Sequence, residues 1–424
     1  MAEDAGMVRA VAWTELFAWL NLVRCLKLAL RMRAMLLAAA GLLLTIGGWA
    51  LLGAIFSGTA DLQLQNWIPW YQSSPWRTTE RPMLPPQRLE GVLQIQDSVF
   101  SPPDLGQPPV SPYHAGWWEL SAPVREMFFL DFAPRGTAEA HLSWEGLAFM
   151  LLCGLWATLV WSFFGGALTR MAAVQLARGE PAGWRESLSY ASSKWRSYFA
   201  SPWLPMLGIL LITIPTAIIG LLLRLDFGVL LVGIVWPVLL VGGLLMAIFL
   251  LGLFFGWPLM WGAISTEGTD SFDALSRSYS YVYQRPLQYL FYAVVAALLG
   301  VLGAMLAYWF ADAVIHLTLW AVSWGSGGQR LGDVLRGGPS VLGGAGTFGV
   351  ALIHFWIGCV RLMAVAFAYS YFWTASTAIY LLLRFQVDGT EMDEIYMDEK
   401  SESLDPPLLA TEPTAGESIT PPPE

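Results

Sequence analysis

Arg361 is the one charge inside a long apolar run, residues 348–383. A guanidinium at that depth costs roughly 2.5–3.5 kcal/mol on insertion scales, so it needs a partner or water. His354 lies seven residues earlier, close to two turns, and so shares a helix face with Arg361. Together they can form a polar site for an anionic or polar substrate. The competing reading is that the long helix shifts in register and Arg361 bonds backbone carbonyls or snorkels to the interface. Asp312 and His316, four residues apart, have the spacing of a metal pair or a proton relay. Two residues are half a site, however, and a hydrated helix end accounts for them as well.

A second cluster is Glu267-Gly268-Thr269-Asp270, followed by Arg277 and Arg285. Glu267, Asp270 and Arg277 can dock a partner protein. The plainer reading is capping: Thr269 or Asp270 accepts from the first N–H groups of the next helix, whose positive end favours acids. The glycine-rich stretch from Gly325 to Gly346 lacks a following Gly-Lys-Ser/Thr, so it does not cradle phosphate and reads as an outer loop. The sequence shows no nucleophile–base pair, no His-Glu-x-x-His and no paired intramembrane carboxylates. The expectation is therefore a protein that is not an enzyme and takes no cofactor or metal. Cys25, Cys153 and Cys359 are far apart, and each falls in an expected helix, so no disulfide framework is implied.

The elements that would position these residues are transmembrane helices. Hydrophobic residues make up 56% of the chain and charged ones 13%, half the usual share of a soluble domain. Several apolar runs exceed the roughly 18 residues that mark a span. We expect an all-α integral membrane protein with six spans: 34–56, 146–169 (continuing as helix to about Arg178), 203–223, 228–263, 287–310 and 348–383. The run 228–263 is far longer than a ~30 Å hydrocarbon layer needs, and its match with 348–383 favours one long helix over two half-spans. Amphipathic segments at 1–33, 170–202 and 264–286 precede spans and are expected to lie in the membrane interface. In the last of them Phe272, Leu275, Tyr279 and Val282 form the apolar stripe. Residues 57–145 hold twelve prolines and scattered tryptophans, and read as a small, partly ordered domain outside. Residues 311–347 read as the glycine-rich outer loop, and 384–424 as a disordered acidic tail.

The pattern repeats three times: amphipathic helix, span, outer connection, longer span, polar turn. The turns are Arg178-Gly179-Glu180, Glu267-Gly268-Thr269-Asp270 and Asp388-Gly389-Thr390-Glu391. This reads as three diverged hairpin units. The net charge of −9 belongs to the tail: eleven acids against Lys400 leave residues 386–424 at −10 and the rest at +1, which points to no nucleic acid. Short loops on the face holding both termini carry 14 Lys and Arg, and the opposite short loops carry three. Both termini are therefore expected on the cytoplasmic side of the cell inner (plasma) membrane. The amphipathic helices then meet anionic lipid of the bilayer.

At Glu267-Gly268-x5-Ala274-Leu275-x-Arg277-Ser278, and at Phe163-Phe164-Gly165-Gly166-Ala167-Leu168-Thr169-Arg170 to Pro202, the chain resembles uncharacterised bacterial multi-pass membrane families. It is also loosely similar to the membrane domain attached to some glycerophosphodiester phosphodiesterases. The resemblance covers residues 160–310 and implies a helical membrane fold without an activity; the phosphodiesterase catalytic domain has no counterpart here. The leading expectation is a non-enzymatic scaffold or accessory component of a membrane complex with protein partners. The alternative is a permease or channel built on Arg361 and His354. A lipid-acting enzyme comes third.

Overall fold

A computed structural model describes residues 18–59, 144–179, 182–336 and 344–397. The Pro/Trp-rich segment from 60 to 143 and the tail beyond 397 lie outside the described residues. Among those described the helices are α1 (Asn21–Ala29), α2 (Met32–Ile55), α3 (Trp144–Arg178), α4 (Trp184–Gly220), α5 (Asp226–Glu267), α6 (Ser271–Gln284), α7 (Pro286–Ser326), α8 (Gly328–Arg336) and α9 (Gly344–Asp388). No strand occurs among them. Helices α2, α3, α4, α5, α7 and α9 are long and apolar enough to cross a membrane.

Length sets the shape. Helix α5 has 42 residues, about 63 Å at 1.5 Å per residue and twice the hydrocarbon thickness. The apolar run 228–263 is thus one helix, with Pro237 and Pro258 inside it. Helices α3, α5 and α9 all finish at one end of the molecule, here called the base. Each stops at a glycine in the left-handed region: Gly179 (φ 72°), Gly268 (φ 68°) and Gly389 (φ 70°). At each, the glycine N–H bonds the carbonyl four residues back, on Gln175, Ile264 and Phe385. A side chain with a Cβ clashes in this conformation, which is why the polar turns carry glycine at that position.

The base is where the chain packs. Trp261 stacks on Trp373 at 4.4 Å, Trp161 stacks on Tyr369 at 5.0 Å, and Trp257 meets Trp373 edge-on at 5.4 Å. Glycines admit these rings. A Cβ on Gly165 would stand 2.5 Å from Trp261, and one on Gly166 would stand 2.9 Å from Tyr198. Toward the opposite tips the helices run in antiparallel pairs. Trp49 Nε1 donates to the Cys153 carbonyl and Trp156 Nε1 to the Leu44 carbonyl, joining α2 to α3. Gly208 of α4 faces Phe249 of α5. Tyr371 Oη of α9 donates to the Ala296 carbonyl of α7 at 2.8 Å. Two of the spans bury little: the most apolar 18-residue stretch of α4 has no buried residue, and that of α5 has 11%. In α2 the figure is 50%.

Four expectations are corrected. Residues 184–220 form one continuous helix, not an interfacial helix followed by a separate span, although Pro202, Pro205 and Pro215 lie within it. Pro202 and Pro205 are buried, and packing at the base holds the axis through the missing N–H bonds. The stretch 311–326 is helix and continues α7, with α8 after it, so the outer loop is shorter than 311–347. Helix α6 packs along α5, where Tyr279 and Tyr283 donate to the carbonyls of Phe249 and Ile248. Of the expected stripe Val282 is buried and Leu275 and Tyr279 pack partly buried against the core, beside the buried Ala274, Ser278 and Tyr281, while Phe272 is 71% exposed. Gly252 and Gly256 of α5 open a seat for the Tyr279 ring. Finally, residues 384–397 are not a loose tail. Helix α9 runs to Asp388, and 389–397 folds back over the base as a strap.

Candidate functional site

The polar groups of the base converge on the end of α5. Glu267 is its last residue and sits 13% exposed. It receives the Tyr380 hydroxyl at 2.5 Å, pairs with Arg277 of α6 at 2.6 Å, and has Arg384 of α9 at 3.8 Å. Arg277 also reaches Asp273, four residues back on its own helix, at 3.3 Å. Burial opposes the charge of Arg277, but the carboxylates of Glu267 and Asp273 outweigh it and hold the guanidinium pKa above its ordinary value. The Tyr281 hydroxyl donates to the Asp388 carboxylate. Burial first, and the neighbouring acid second, push that phenol above its usual range.

The strap closes over this cluster. Arg384 donates to the carbonyls of Glu391 at 2.9 Å and Glu394 at 2.6 Å, and the Tyr396 N–H bonds the Thr266 carbonyl at 2.7 Å. Beside it Arg170 of α3 donates to the Ser265 carbonyl at 2.7 Å and lies 4.1 Å above the Tyr190 ring. Ser265 Oγ bridges Thr169 and Tyr198. A wide, open depression of about 450 Å³ lies beside the strap, lined by Thr266, Glu267, Arg277, Arg384, Glu394 and Tyr396 among others. Its charges balance, two arginines against two carboxylates, so it selects neither an anion nor a cation. Among the described residues no group of three His, Cys, Asp or Glu is placed to hold a metal ion.

The residues expected to dock a partner are thus tied to their own chain. Glu267 and Arg277 form the ion pair above. Asp270 caps α6, its Oδ1 accepting the Asp273 N–H at 2.9 Å. Arg170, Tyr380, Arg384 and Tyr396 complete the cluster without a sequence signal of comparable strength. Arg384 alone had one, a cation placed four residues before the Asp388-Gly389 turn.

Arg361 and His354 lie elsewhere. Both are exposed on α9, toward the tips. Arg361 begins the stripe Arg361, Val365, Ala368, Phe372, spaced four, three and four. Nearer the base, Phe372 tilts against Trp257 of α5 at 5.6 Å. The Arg361 face is therefore the one that meets α5 at the base, and at Arg361 itself it is exposed. Arg361 has no ion pair among the described residues.

The chain matches no family model, no curated protein and no solved structure.

Proposed function

We propose that the protein is a non-enzymatic component of a membrane assembly, with its base and both termini in the cytoplasm of the cell inner membrane. The observation that carries this reading is that the most apolar stretches of α4 and α5 bury 0% and 11% of their residues, against 28–50% in the other four spans. In α4 no residue of the most apolar 18-residue stretch is buried, although α4 packs along α5 at Gly208 and Phe249. A self-sufficient transporter buries one face of each span against its neighbours. Here α4 and α5 offer a two-helix apolar surface to whatever surrounds them. The orientation rests on the 14 Lys and Arg in the sequence segments 1–33, 170–202, 264–286 and 384–424, against three in the opposite short loops. Helices α3, α5 and α9, each ending on a left-handed glycine, support three diverged hairpin units. The described residues end with the strap, and the acidic run that follows it in the sequence is the segment we assign to a soluble partner.

The test is affinity purification in mild detergent through a tag after Glu424, followed by mass spectrometry. Another membrane or envelope protein in stoichiometric amount is the expected result. Recovery of this chain with no other protein would overturn the reading. It would favour a permease, for which the exposed Arg361, with no ion pair among the described residues, and the exposed His354 are the supporting observation. Flux should then fall in Arg361→Leu.

A further inference from the structure

The three segments expected at the membrane interface use their cations differently. In α6, Arg277 is bound to Glu267 and Asp273, and in α4, Lys194 donates to the Gly268 carbonyl. The elbow between α1 and α2 carries Arg24, Lys27, Arg31 and Arg33 within ten residues of chain. None of these four has an ion pair among the described residues. Arg24 donates to Asn21 Oδ1 at 3.4 Å, which is a neutral partner. No Asp or Glu occurs between Ala18 and Ala60. The strap reaches α1 where Met392 Sδ meets the Asn21 amide at 3.9 Å, but its acids pair with none of the four cations.

Helix α1 is held along one side. Asn21, Leu22, Cys25 and Ala29 are buried. Cys25 Sγ lies 3.9 Å from the Thr374 carbonyl and Ser370 Oγ donates to the Ala29 carbonyl at 3.1 Å, both on α9. Val23, Arg24, Lys27 and Leu30 are exposed, at spacings that share the other side of the helix. The chain turns at Arg31, whose backbone is extended, and α2 opens with Met32 and Arg33 exposed. Cations therefore alternate with open apolar side chains, Leu30 at 55% and Met32 at 62% exposure. Directly after them residues 34–56 enter a span without a charge. A patch joined to the mouth of a span has lipid headgroups for neighbours. Four or more Lys and Arg at that place attract anionic lipid, and apolar side chains among them enter the acyl boundary.

We propose that the α1–α2 elbow binds anionic phospholipid, with Arg24, Lys27, Arg31 and Arg33 holding the headgroup phosphate and Val23, Leu30 and Met32 entering the acyl boundary. The site does not depend on which other proteins share the assembly.

The test takes the full chain in a neutral detergent. It is titrated with dioctanoyl phosphatidylglycerol or dioctanoyl phosphatidylcholine, and bound lipid is counted by native mass spectrometry. Wild type should bind the glycerol lipid roughly tenfold or more tighter than the choline lipid, and salt at about 1 M should remove the preference. Changing any one of the four cations to Gln should weaken phosphatidylglycerol binding about fivefold and leave phosphatidylcholine unaltered. Arg24→Lys, which keeps the charge, should bind as wild type does. Arg185→Gln with Arg196→Gln, two exposed cations of α4, should also bind as wild type does. Thermal melts check that each variant is folded. Arg24→Gln with Lys27→Gln, both on the exposed side of α1, carries the test where a variant at the Arg31 turn does not fold. A wild type that does not distinguish the two lipids overturns the proposal, and so does an equal loss in the α4 variant. Displacement of phosphatidylglycerol by millimolar inorganic phosphate would overturn it in favour of a free anion. A large gain in phosphatidylglycerol binding on deletion of residues 398–424 would overturn it in favour of the acidic tail as occupant.

Discussion

Gly268→Ala isolates the contribution of the strap, because the molecule contains its own controls. Gly179, Gly268 and Gly389 hold nearly the same backbone angle, at φ 72°, 68° and 70°. Placing an L residue there costs about 1–2 kcal/mol. At Gly179 and Gly389 a new Cβ would find nothing within 4 Å, so the backbone penalty is the whole effect. At Gly268 the Cβ would stand 2.7 Å from Cδ1 of Tyr396. The ring cannot swing aside freely, because the Tyr396 N–H is held by the Thr266 carbonyl at 2.7 Å. Overpacking of this kind adds about 1–3 kcal/mol. The total at Gly268 is then about 2–5 kcal/mol, two to three times either control. Thermal unfolding in one detergent would rank the three variants, and hydrogen exchange at the Tyr396 amide would report the strap directly. Asparagine separates the two costs, since it tolerates the left-handed region but keeps a Cβ. Gly179→Asn should be close to neutral while Gly268→Asn still unfolds early. Equal losses in all three alanine variants, with the Tyr396 amide still protected, would refute the packing of the strap on this turn.

Three further outcomes follow from the base and its packing. Glu267→Gln should cost about 3–5 kcal/mol, because Arg384 is 3% exposed and loses its counter-charge, whereas Asp273→Asn on an exposed pair should cost a few tenths; thermal melts of the two variants decide it. Gly165→Ala should cost about 1–3 kcal/mol and disturb the near-ultraviolet circular dichroism of the tryptophan stack, while Gly154→Ala, with open space around it, should be neutral or slightly stabilising. Burial pushes the Cys25 thiol up to about 12, the Arg24 charge offsetting only part of it, so at pH 8 about one molecule in ten thousand carries the thiolate. Maleimide should therefore leave Cys25 unmodified in the folded protein and modify it after denaturation, as mass spectrometry of the peptides would show.

Much of the fold was legible in single residues. The polar turns at Gly179, Gly268 and Gly389 marked helix ends, because a left-handed residue is a local requirement that glycine alone meets without strain. Asp270 was legible as a cap for the same reason: the bond it makes is to a group three residues away. The site was less legible. Glu267 and Arg277 stood out, but as groups for a partner rather than for each other, since pairing across a turn depends on how α6 docks on α5. Tyr380, Arg384 and Tyr396 lie more than a hundred residues from Glu267 in the chain, and no spacing rule connects them.

The sequence by itself determined six apolar helices, their order and most of their ends, because hydrophobic length and terminal chemistry act within a few turns. Tertiary structure alone decided which face of α6 is buried, that residues 389–397 return over the base, and that Arg361 looks outward. Each of these depends on where a distant helix lies: Gly252 and Gly256 seat the Tyr279 ring, Thr266 receives the Tyr396 N–H, and Trp257 closes at the base a face of α9 that is exposed at Arg361. An amphipathic stripe records that a side is apolar; the shape of the neighbour decides what that side meets.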